Sequence, residues 1–473
     1  MKRSAVALAT APFVILPQAA EAATLSGEAL TWPFALPFGG LLLSIALGPL
    51  LCPGFWHHHY GKITIAWSCL ALGAIGWFAG GAAVLAALVH AMLAEYLSFI
   101  VLLFALYTVA GGILVSGDIR ATPIANVTIL ALGTVMASVI GTTGASMILI
   151  RPLIRANLAR PRNAHVFVFF IILVANVGGA LSPLGDPPLF VGFLRGVDFF
   201  WPTTHLVIQT GIVVVPLLAM FVAVDAWRFR TDGVLATAGG AAPIKLRGLI
   251  NILLIAAIIG AILLSANWRP GIGFDVLGTR LEIQNLARDA VLIALALLSL
   301  WLTPDEHRQA NGFTWEPIRE VAKLFAGIFT AIIPVVAMLN AGSHGPFAWL
   351  LSAVTAPGGA PREVAYFWLT GVMSAFLDNA PAYLLFFELA GGDAMQLMRE
   401  HSGTLAAISM GAVYMGALTY IGNAPNFMVA AIASERGIRM PGFFGYFLWA
   451  AAILLPLFGL LTILPVAPIL SAH

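Results

Sequence analysis

The sequence predicts an all-α polytopic membrane protein, and three observations lead to this fold class. Of the 473 residues, 60% are hydrophobic, and the mean hydropathy is +0.96. Only 9% of the residues are charged, against roughly 25% in ordinary soluble domains. The apolar runs are continuous rather than alternating, which favours membrane helices over a membrane β-barrel. We therefore expect about 10 spans plus 2 re-entrant hairpins.

The N-terminus has the features of a secretory signal peptide. Lys2 and Arg3 precede an apolar run, and Ala20-Glu21-Ala22 has the small-x-small form of a cleavage site. We expect residues 1–22 to be removed as a signal, although an uncleaved first helix is the alternative. Either form places residue 30 on the outer side of a bacterial inner membrane.

Apolar windows long enough to cross a bilayer recur along the chain. Two further apolar segments, 123–158 and 363–392, are interrupted near their middles by Gly141–Gly144 and Asp378–Pro381. We predict that each of these two segments is a re-entrant helical hairpin. The spans are expected at about 36–53, 63–88, 91–116, 164–197, 205–227, 248–267, 288–303, 321–340, 403–434 and 443–466.

Lysine and arginine set the expected orientation, because cytoplasmic loops are enriched in both. The basic segments 151–163 and 228–247 are predicted to be cytoplasmic, and 392–402 to be external. This orientation of the spans requires 346–357 to be a short surface segment rather than a span. The run His57–His59 then falls in a short cytoplasmic loop.

An internal repeat divides the chain into two halves. The segment GALSPLGDPPLFV begins at Gly179, and GALTYIGNAPNFMV begins 237 positions later at Gly416, so that Asp186 is matched by Asn423. The same spacing places the tip 141–144 on the tip 378–381. Gly, Pro and Asp/Asn rarely match in register by chance, so we infer a duplication. The repeats are assigned to residues 30–235 and 245–470.

Each half is predicted to contain three spans, a hairpin, a broken span and a closing span. The first hairpin opens to the inside and the second to the outside, so the two halves are predicted to be inverted. Inverted repeats with discontinuous helices are typical of secondary transporters. Broken backbone at membrane depth is tolerated where it is buried in protein or lines a wet cavity.

With DNAP in the second hairpin and IGNAPN in the second broken helix, the chain resembles the ion transporter superfamily. That group includes NhaD-type sodium/proton antiporters, CitMHS-type citrate carriers, arsenite carriers and divalent anion/sodium symporters. The resemblance implies a scaffold subdomain, a mobile transport subdomain with elevator-like motion, and a homodimer. It implies ion sites at 141–144, 182–187, 378–381 and 419–426. The tips depart from the Ser-Asn-Thr triplets of the anion/sodium symporters, which argues against a di- or tricarboxylate substrate.

The residues at the four breaks favour a cation, because hard cations prefer oxygen ligands. A carboxylate buried in the membrane can hold either a proton or a sodium ion, so sodium/proton antiport is the leading hypothesis. The candidate cation- and proton-binding residues are Asp186, Asp378, Asn379, Asn423, Thr142 and Thr143. The candidate cavity and broken-helix residues are Ser182, Gly185, Pro187, Thr419, Gly422, Asn426 and Asn176.

The same residues are compatible with other functions. A cation-coupled carrier of citrate or another anion would use Asp186 and Asp378 to hold the coupling ion. An Asp before proline also commonly caps a helix. Glu95 and Tyr96 are predicted near the outer interface, chiefly in packing. No enzyme, cofactor or nucleic-acid partner is predicted; the expected partners are lipid, Na⁺ or another monovalent cation, and a second copy of the chain.

Overall fold

The protein is described by a computed structural model over residues 26–232 and 242–463. The predicted signal at 1–22 lies outside these described residues. Two short helical turns, Gly27–Ala29 and Trp32–Ala35, precede the first long helix.

The first half contains nine α-helices and one strand in the described part of the chain. A π-helix, His90–Tyr96, joins the third helix to the fourth, and a tight helical turn, Val177–Leu181, precedes the eighth. The elements are α1 (Leu36–Leu51), α2 (Pro53–Ala79), α3 (Gly81–Val89), α4 (Leu97–Ala110), β1 (Leu114–Ser116), α5 (Pro123–Ile140), α6 (Thr142–Asn157), α7 (Ala164–Leu173), α8 (Pro187–Leu194) and α9 (Trp201–Thr231).

The described residues from 242 onward contain twelve α-helices and three strands, several of them short. Tight turns occur at Gly342–His344 and Gly416–Leu418. The elements are β2 (Lys245–Arg247), α10 (Ile250–Asn267), β3 (Gly273–Val276), β4 (Thr279–Glu282), α11 (Ile283–Leu302), α12 (Asp305–Ala310), α13 (Glu316–Ala331), α14 (Ile333–Asn340), α15 (Ala348–Val354), α16 (Glu363–Leu377), α17 (Asn379–Leu389), α18 (Ala394–Arg399), α19 (Ser402–Met415), α20 (Ala424–Glu435) and α21 (Phe443–Ile463).

The predicted fold class is confirmed. Within residues 26–232 and 242–463, nine helical segments are long and apolar enough to cross a membrane. The pair α13 and α14, bent by 40°, adds a tenth. The described strands form only two small antiparallel ribbons, β1 with β2 and β3 with β4. The protein is therefore an all-α polytopic membrane protein.

The predicted boundary between the second and third spans is wrong. The sequence placed these spans at 63–88 and 91–116, whereas the helix ends at Ala79 and the next begins at Gly81. Gly80 separates them with a φ of +84°, a conformation that ends helices and is readily adopted only by glycine. The continuous apolar sequence on both sides conceals this joint.

The histidine run is also misplaced by the sequence prediction. Pro53 starts α2 immediately after Cys52, so His57–His59 lie within the helix and not in a loop. Proline is favoured at the first position of a helix, where no N–H is needed. The polar histidines therefore occupy the first turns of α2.

The third span is irregular at corresponding places in the two halves. In the first half the π-helix His90–Tyr96 interrupts it, and in the second half the bend follows Ala331. The repeat spacing of 237 places 90–96 on 327–333. The hydroxyl of Tyr96 donates to the carbonyl of Ala322 at 2.8 Å, which joins the two irregular spans.

Both predicted hairpins reverse direction at their tips. The first arm of the first hairpin has 18 residues, about 27 Å of helix. The chain then turns at Gly141, and Asn126 Nδ2 donates to Asn157 Oδ1 at 2.9 Å. This contact brings the two open ends of the hairpin together.

The segment 346–357 contains only the seven-residue α15, which is too short to span.

The centre of the molecule is formed around α7. Apart from His165 this helix is apolar, and it is almost wholly buried, as expected for a helix surrounded by protein. It packs against α5, α9, α20 and α21, which come from both halves. The two broken segments that follow α7 and α19 therefore lie inside protein and not against lipid.

Candidate ion-binding site

Each broken span leaves helical geometry just before a proline. Asp186 precedes Pro187–Pro188 and is extended, with φ −142° and ψ 142°. Its counterpart Asn423 has φ −157° and ψ 138°. Proline disfavours helical geometry in the residue before it, which applies directly to Asp186. In the second half Ala424 separates Asn423 from Pro425, and this proline lies in the first turn of α20, where its missing N–H is tolerated. Asp186 and Asn423 therefore occupy the positions where the half-helices α8 and α20 begin.

Hydroxyl groups hold each break against the first arm of its hairpin. Ser182 Oγ donates to the carbonyl of Ser138, and Thr419 Oγ1 donates to the carbonyl of Ala375 at 2.5 Å. Each hydroxyl also accepts the backbone N–H two residues further on, at 3.2 Å in both halves. These four positions match at the repeat spacing, so the predicted cavity residues Ser182 and Thr419 form equivalent clamps.

Paired glycines allow the backbone of each break to cross itself closely. A Cβ on Gly185 would lie 2.1 Å from the carbonyl oxygen of Gly179, and one on Gly422 would lie 2.5 Å from that of Gly416. No other residue fits at such distances. The predicted broken-helix positions Gly185 and Gly422 are thus required by backbone contact.

The carboxylate of Asp186 is the point where both hairpin tips and the second break meet. Its Oδ1 accepts hydrogen bonds from Thr142 Oγ1 at 3.1 Å and from Asn423 Nδ2 at 3.0 Å. Its Oδ2 accepts one from Asn379 Nδ2 at 2.5 Å. All four side chains are buried. Three neutral donors therefore satisfy one buried carboxylate.

A second layer of amides lies behind this centre. Asn176 Nδ2 donates to Asn426 Oδ1 at 2.6 Å, and Asn423 Nδ2 lies 3.3 Å from Asn176 Oδ1. Asn426 in turn donates to the carbonyls of Gly416 and Thr419 at 2.8 and 2.9 Å. This layer connects the two breaks and fixes the orientation of Asn423.

The second acid, Asp378, has a different environment. It is partly exposed, and its Oδ1 accepts the backbone N–H of Asn379 at 2.7 Å, so it caps α17. Its φ is +83° and its ψ is 146°, close to the values of +84° and 150° at the corresponding Gly141. Such a conformation costs a non-glycine residue about 1–3 kcal/mol, whereas a cap contributes about 1 kcal/mol. Capping alone therefore does not account for Asp at this position.

Two predicted residues lie at the edge of the site. Thr143 is partly exposed and makes no side-chain hydrogen bond within the described ranges. Pro187 is also partly exposed and starts α8. Together with Asp378 they form the accessible side of the cluster, and the other predicted residues form its buried side.

The sequence did not single out two serines that support the site. Ser138 Oγ donates to the carbonyl of Gly178, and Ser374 Oγ to that of Ala412, each at 2.5 Å. The repeat spacing matches Ser138 with Ala375 rather than with Ser374, so the duplication gave no signal. A serine within an apolar helix carries little information on its own.

Two charge clusters, one partly exposed and one fully buried, also escaped prediction. Arg195 contacts Glu95 at 2.9 Å and Glu388 more closely. Arg160 contacts Asp225 at 2.6 Å, and His165 contacts the same carboxylate oxygen at 2.8 Å. Arg160 belongs to the basic segment 151–163 that predicts the orientation, but its side chain is fully buried in an ion pair.

Discontinuous helices and hairpin tips that meet inside a polytopic bundle are typical of membrane transporters. The chain belongs to the citrate transport family, described as "Putative citrate transport", which matches residues 27–466. The predicted resemblance to the citrate carriers is thereby confirmed, and the closer likeness to NhaD-type antiporters stays a prediction.

The chain is also similar to transporters of two mycobacteria. Uncharacterized transporters of Mycobacterium bovis and Mycobacterium tuberculosis are each 24% identical to it over 331 residues. The alignment covers 67% of this chain and 71% of each relative.

Proposed function

We propose that the protein is a secondary active transporter that exchanges a monovalent cation, sodium first, for protons across a bacterial inner membrane. The observation that carries the proposal is the buried carboxylate of Asp186, on which both hairpin tips converge. The proposed carrier is a homodimer with inverted halves.

The hydrogen bonds around Asp186 favour a cation over an anion as the bound species. The Asn379 amide donates its Nδ2 to the Asp186 carboxylate. Its Oδ1 is then buried without a hydrogen-bond partner among the described residues, and is available as a cation ligand. The side-chain N–H groups of Asn379 and Asn423, which could otherwise bind an anion, donate to Asp186.

Charge balance gives the reason for coupling to protons. The segments 141–144, 182–187, 378–381 and 419–426 contain Asp186 and Asp378 but no Lys, Arg or His. An ionised carboxylate is costly inside a membrane protein unless it is neutralised. A proton or a cation can neutralise Asp186, and binding of one disfavours the other. Alternate loading from the two sides of the membrane then exchanges the two ions.

We assign Asp378 to the entry side of the same site. It is partly exposed whereas Asp186 is buried, so an incoming hydrated cation reaches Asp378 first. At the start of α17 the Asp378 carboxylate accepts the backbone N–H of Asn379. Two acids permit two protons for each cation.

A second candidate is a cation-coupled carrier of citrate or another anion, which the family description favours. In that case Asp186 and Asp378 hold the coupling cation. The anion would then bind at the accessible side of the cluster, near Thr143. The bound cation would supply the positive charge that the four segments at the tips and breaks lack.

Fluorescence dequenching in everted vesicles separates these functions. Sodium, lithium, potassium and then citrate are added to a preformed proton gradient. Antiport predicts proton release on adding sodium alone, with loss of this release in Asp186→Asn and retention in Asp275→Asn, a control in the exposed β3–β4 ribbon. Absence of proton release, together with radiolabelled citrate uptake that rises with sodium, would support the carrier instead.

The inverted arrangement has its own test. Arg162 and Glu400 are exposed and lie at the predicted inner and outer ends of the molecule. Cysteines substituted at these two positions should react with an impermeant thiol reagent from opposite sides of the membrane. Reaction from the same side would contradict inversion.

A further inference from the structure

The cluster of Arg195, Glu95 and Glu388 lies at the far end of α8 from Asp186. Arg195 directly follows α8. Its Nη2 is 2.9 Å from Glu95 Oε1, and its Nη1 is hydrogen-bonded to Glu388 Oε1. One guanidinium therefore connects two carboxylates that belong to different parts of the fold.

Arg195 and Glu388 belong to one packed unit. Their helices, α8 and α17, pack against each other along their lengths. A Cβ on Gly192 would lie 2.3 Å from the hydroxyl oxygen of Tyr383, so the two helices approach too closely to slide independently. Both helices also begin at the candidate ion site, at Asp186 and Asp378.

Glu95 belongs to a different packed unit. It lies in the π-helix His90–Tyr96, which packs on α4 and α13. The next residue, Tyr96, donates to the carbonyl of Ala322 at 2.8 Å and its ring lies against that of Phe329. π-Helices are rare and frequently occur at functional sites. His90 Nε2, on a mostly exposed side chain, lies 3.8 Å from Glu95 Oε1.

The two carboxylates also differ in burial. The side chain of Glu388 is 4% exposed and that of Glu95 is 15% exposed. A nearly buried carboxylate requires a permanent partner, since losing the partner leaves an uncompensated charge. A carboxylate closer to water can lose its partner and be hydrated instead. Arg195 is thus held permanently by Glu388 and reversibly by Glu95.

We propose that the Glu95–Arg195 ion pair is a latch between the two packed units. It holds the conformation described here, and it opens when α8 and α17 move relative to α13. The Arg195–Glu388 pair persists through the cycle and carries the arginine with the moving unit. The latch rests on the proposed transport cycle, but it does not depend on which ion is carried.

The test measures access to the ion site from each side of the membrane. A reporter, Thr143→Cys, is introduced into protein carrying Cys52→Ser and Cys69→Ser, and is labelled in proteoliposomes from inside and from outside. In Glu95→Gln the ratio of the two labelling rates should change about 5- to 10-fold, because a partly exposed ion pair biasing one state is lost. The change should favour the side that is less accessible before the substitution.

The matched control is Glu282→Gln, which removes an ion pair with Arg280 within the single β3–β4 ribbon. It should leave the labelling ratio unchanged. Glu388→Gln should instead lower the thermal unfolding temperature in detergent, since the arginine loses its permanent partner. An unchanged ratio in Glu95→Gln, or an equal change in Glu282→Gln, would overturn the latch. A changed ratio without sodium-driven proton release would overturn the proposed antiport and leave the latch in place.

Discussion

The two hairpin tips share a backbone conformation but differ in the side chain that occupies it. Gly141 and Asp378 have nearly the same φ and ψ, yet only the second carries a carboxylate. At the breaks the order is reversed, because the first carries Asp186 and the second carries Asn423. Each half therefore supplies one acid, at a different place in the same local structure. The backbone repeats, whereas the chemistry does not.

This difference concentrates negative charge at one break. Asn423, the repeat counterpart of Asp186, donates to it directly at 3.0 Å. Two carboxylates at that distance could not both be ionised. A neutral amide at 423 therefore leaves position 186 as the single buried acid, and both tips supply hydrogen bonds to it.

The largest expected effect comes from moving the carboxylate from position 186 to position 423. Asp186→Asn should lower sodium-driven proton release by about 100-fold or more, as expected when a positioned proton-binding group is removed. The double variant Asp186→Asn with Asn423→Asp should not restore it, because Thr142 and Asn379 still point to position 186. The vesicle assay measures both. Full activity of the exchanged variant would mean that the two breaks are equivalent.

The variants Asp378→Gly and Gly141→Ala compare how the two tips contribute to stability and to transport. Asp378→Gly relieves about 1–3 kcal/mol of backbone strain and loses a cap of about 1 kcal/mol, so stability should be unchanged or slightly higher while transport is lost. Gly141→Ala should lower stability by about 1–3 kcal/mol, since its φ is +84° and its new Cβ would lie 3.2 Å from the carbonyl oxygen of Leu184. Thermal unfolding in detergent distinguishes the two. Destabilisation by Asp378→Gly without loss of transport would make Asp378 a structural cap.

A smaller effect is expected from Thr142→Ala at the first tip. It removes one of three hydrogen bonds to Asp186, and bonds to charged groups contribute about 1.5–3 kcal/mol. The sodium concentration for half-maximal proton release should rise about tenfold or more, with little change in the maximal rate. Thr128→Ala, which removes an exposed hydroxyl from the first arm of the same hairpin, is the control and should change neither. An unaltered sodium dependence in Thr142→Ala would exclude this hydroxyl from the site.

The smallest expected effects are those of the two clamps, and they should be equal. Ser182→Ala and Thr419→Ala each remove a hydrogen bond from a break to its hairpin arm. Each should lower stability by about 1 kcal/mol and leave sodium dependence unchanged. If the two variants differ markedly in thermal unfolding temperature, the two clamps contribute unequally to stability despite their matching geometry.

The sequence was most informative where the local backbone is dictated by residue type. Pro187 and the paired glycines marked the breaks, and the repeat spacing placed Asp186 and Asn423 in one candidate site. The joint at Gly80 was missed because apolar residues continue on both sides of it. The partners Glu95, Arg195 and Glu388 could not be predicted from one sequence, since their contact depends on how distant helices pack.

Proton release on cation binding to the purified protein tests the central claim most directly. Calorimetric titration with sodium, repeated in buffers of different ionisation enthalpy, reports the number of protons released per bound ion. We predict about one proton or more for each sodium ion, and neither binding nor release in Asp186→Asn. Sodium binding without proton release, or unchanged release in Asp186→Asn, would contradict competition between proton and cation at this carboxylate.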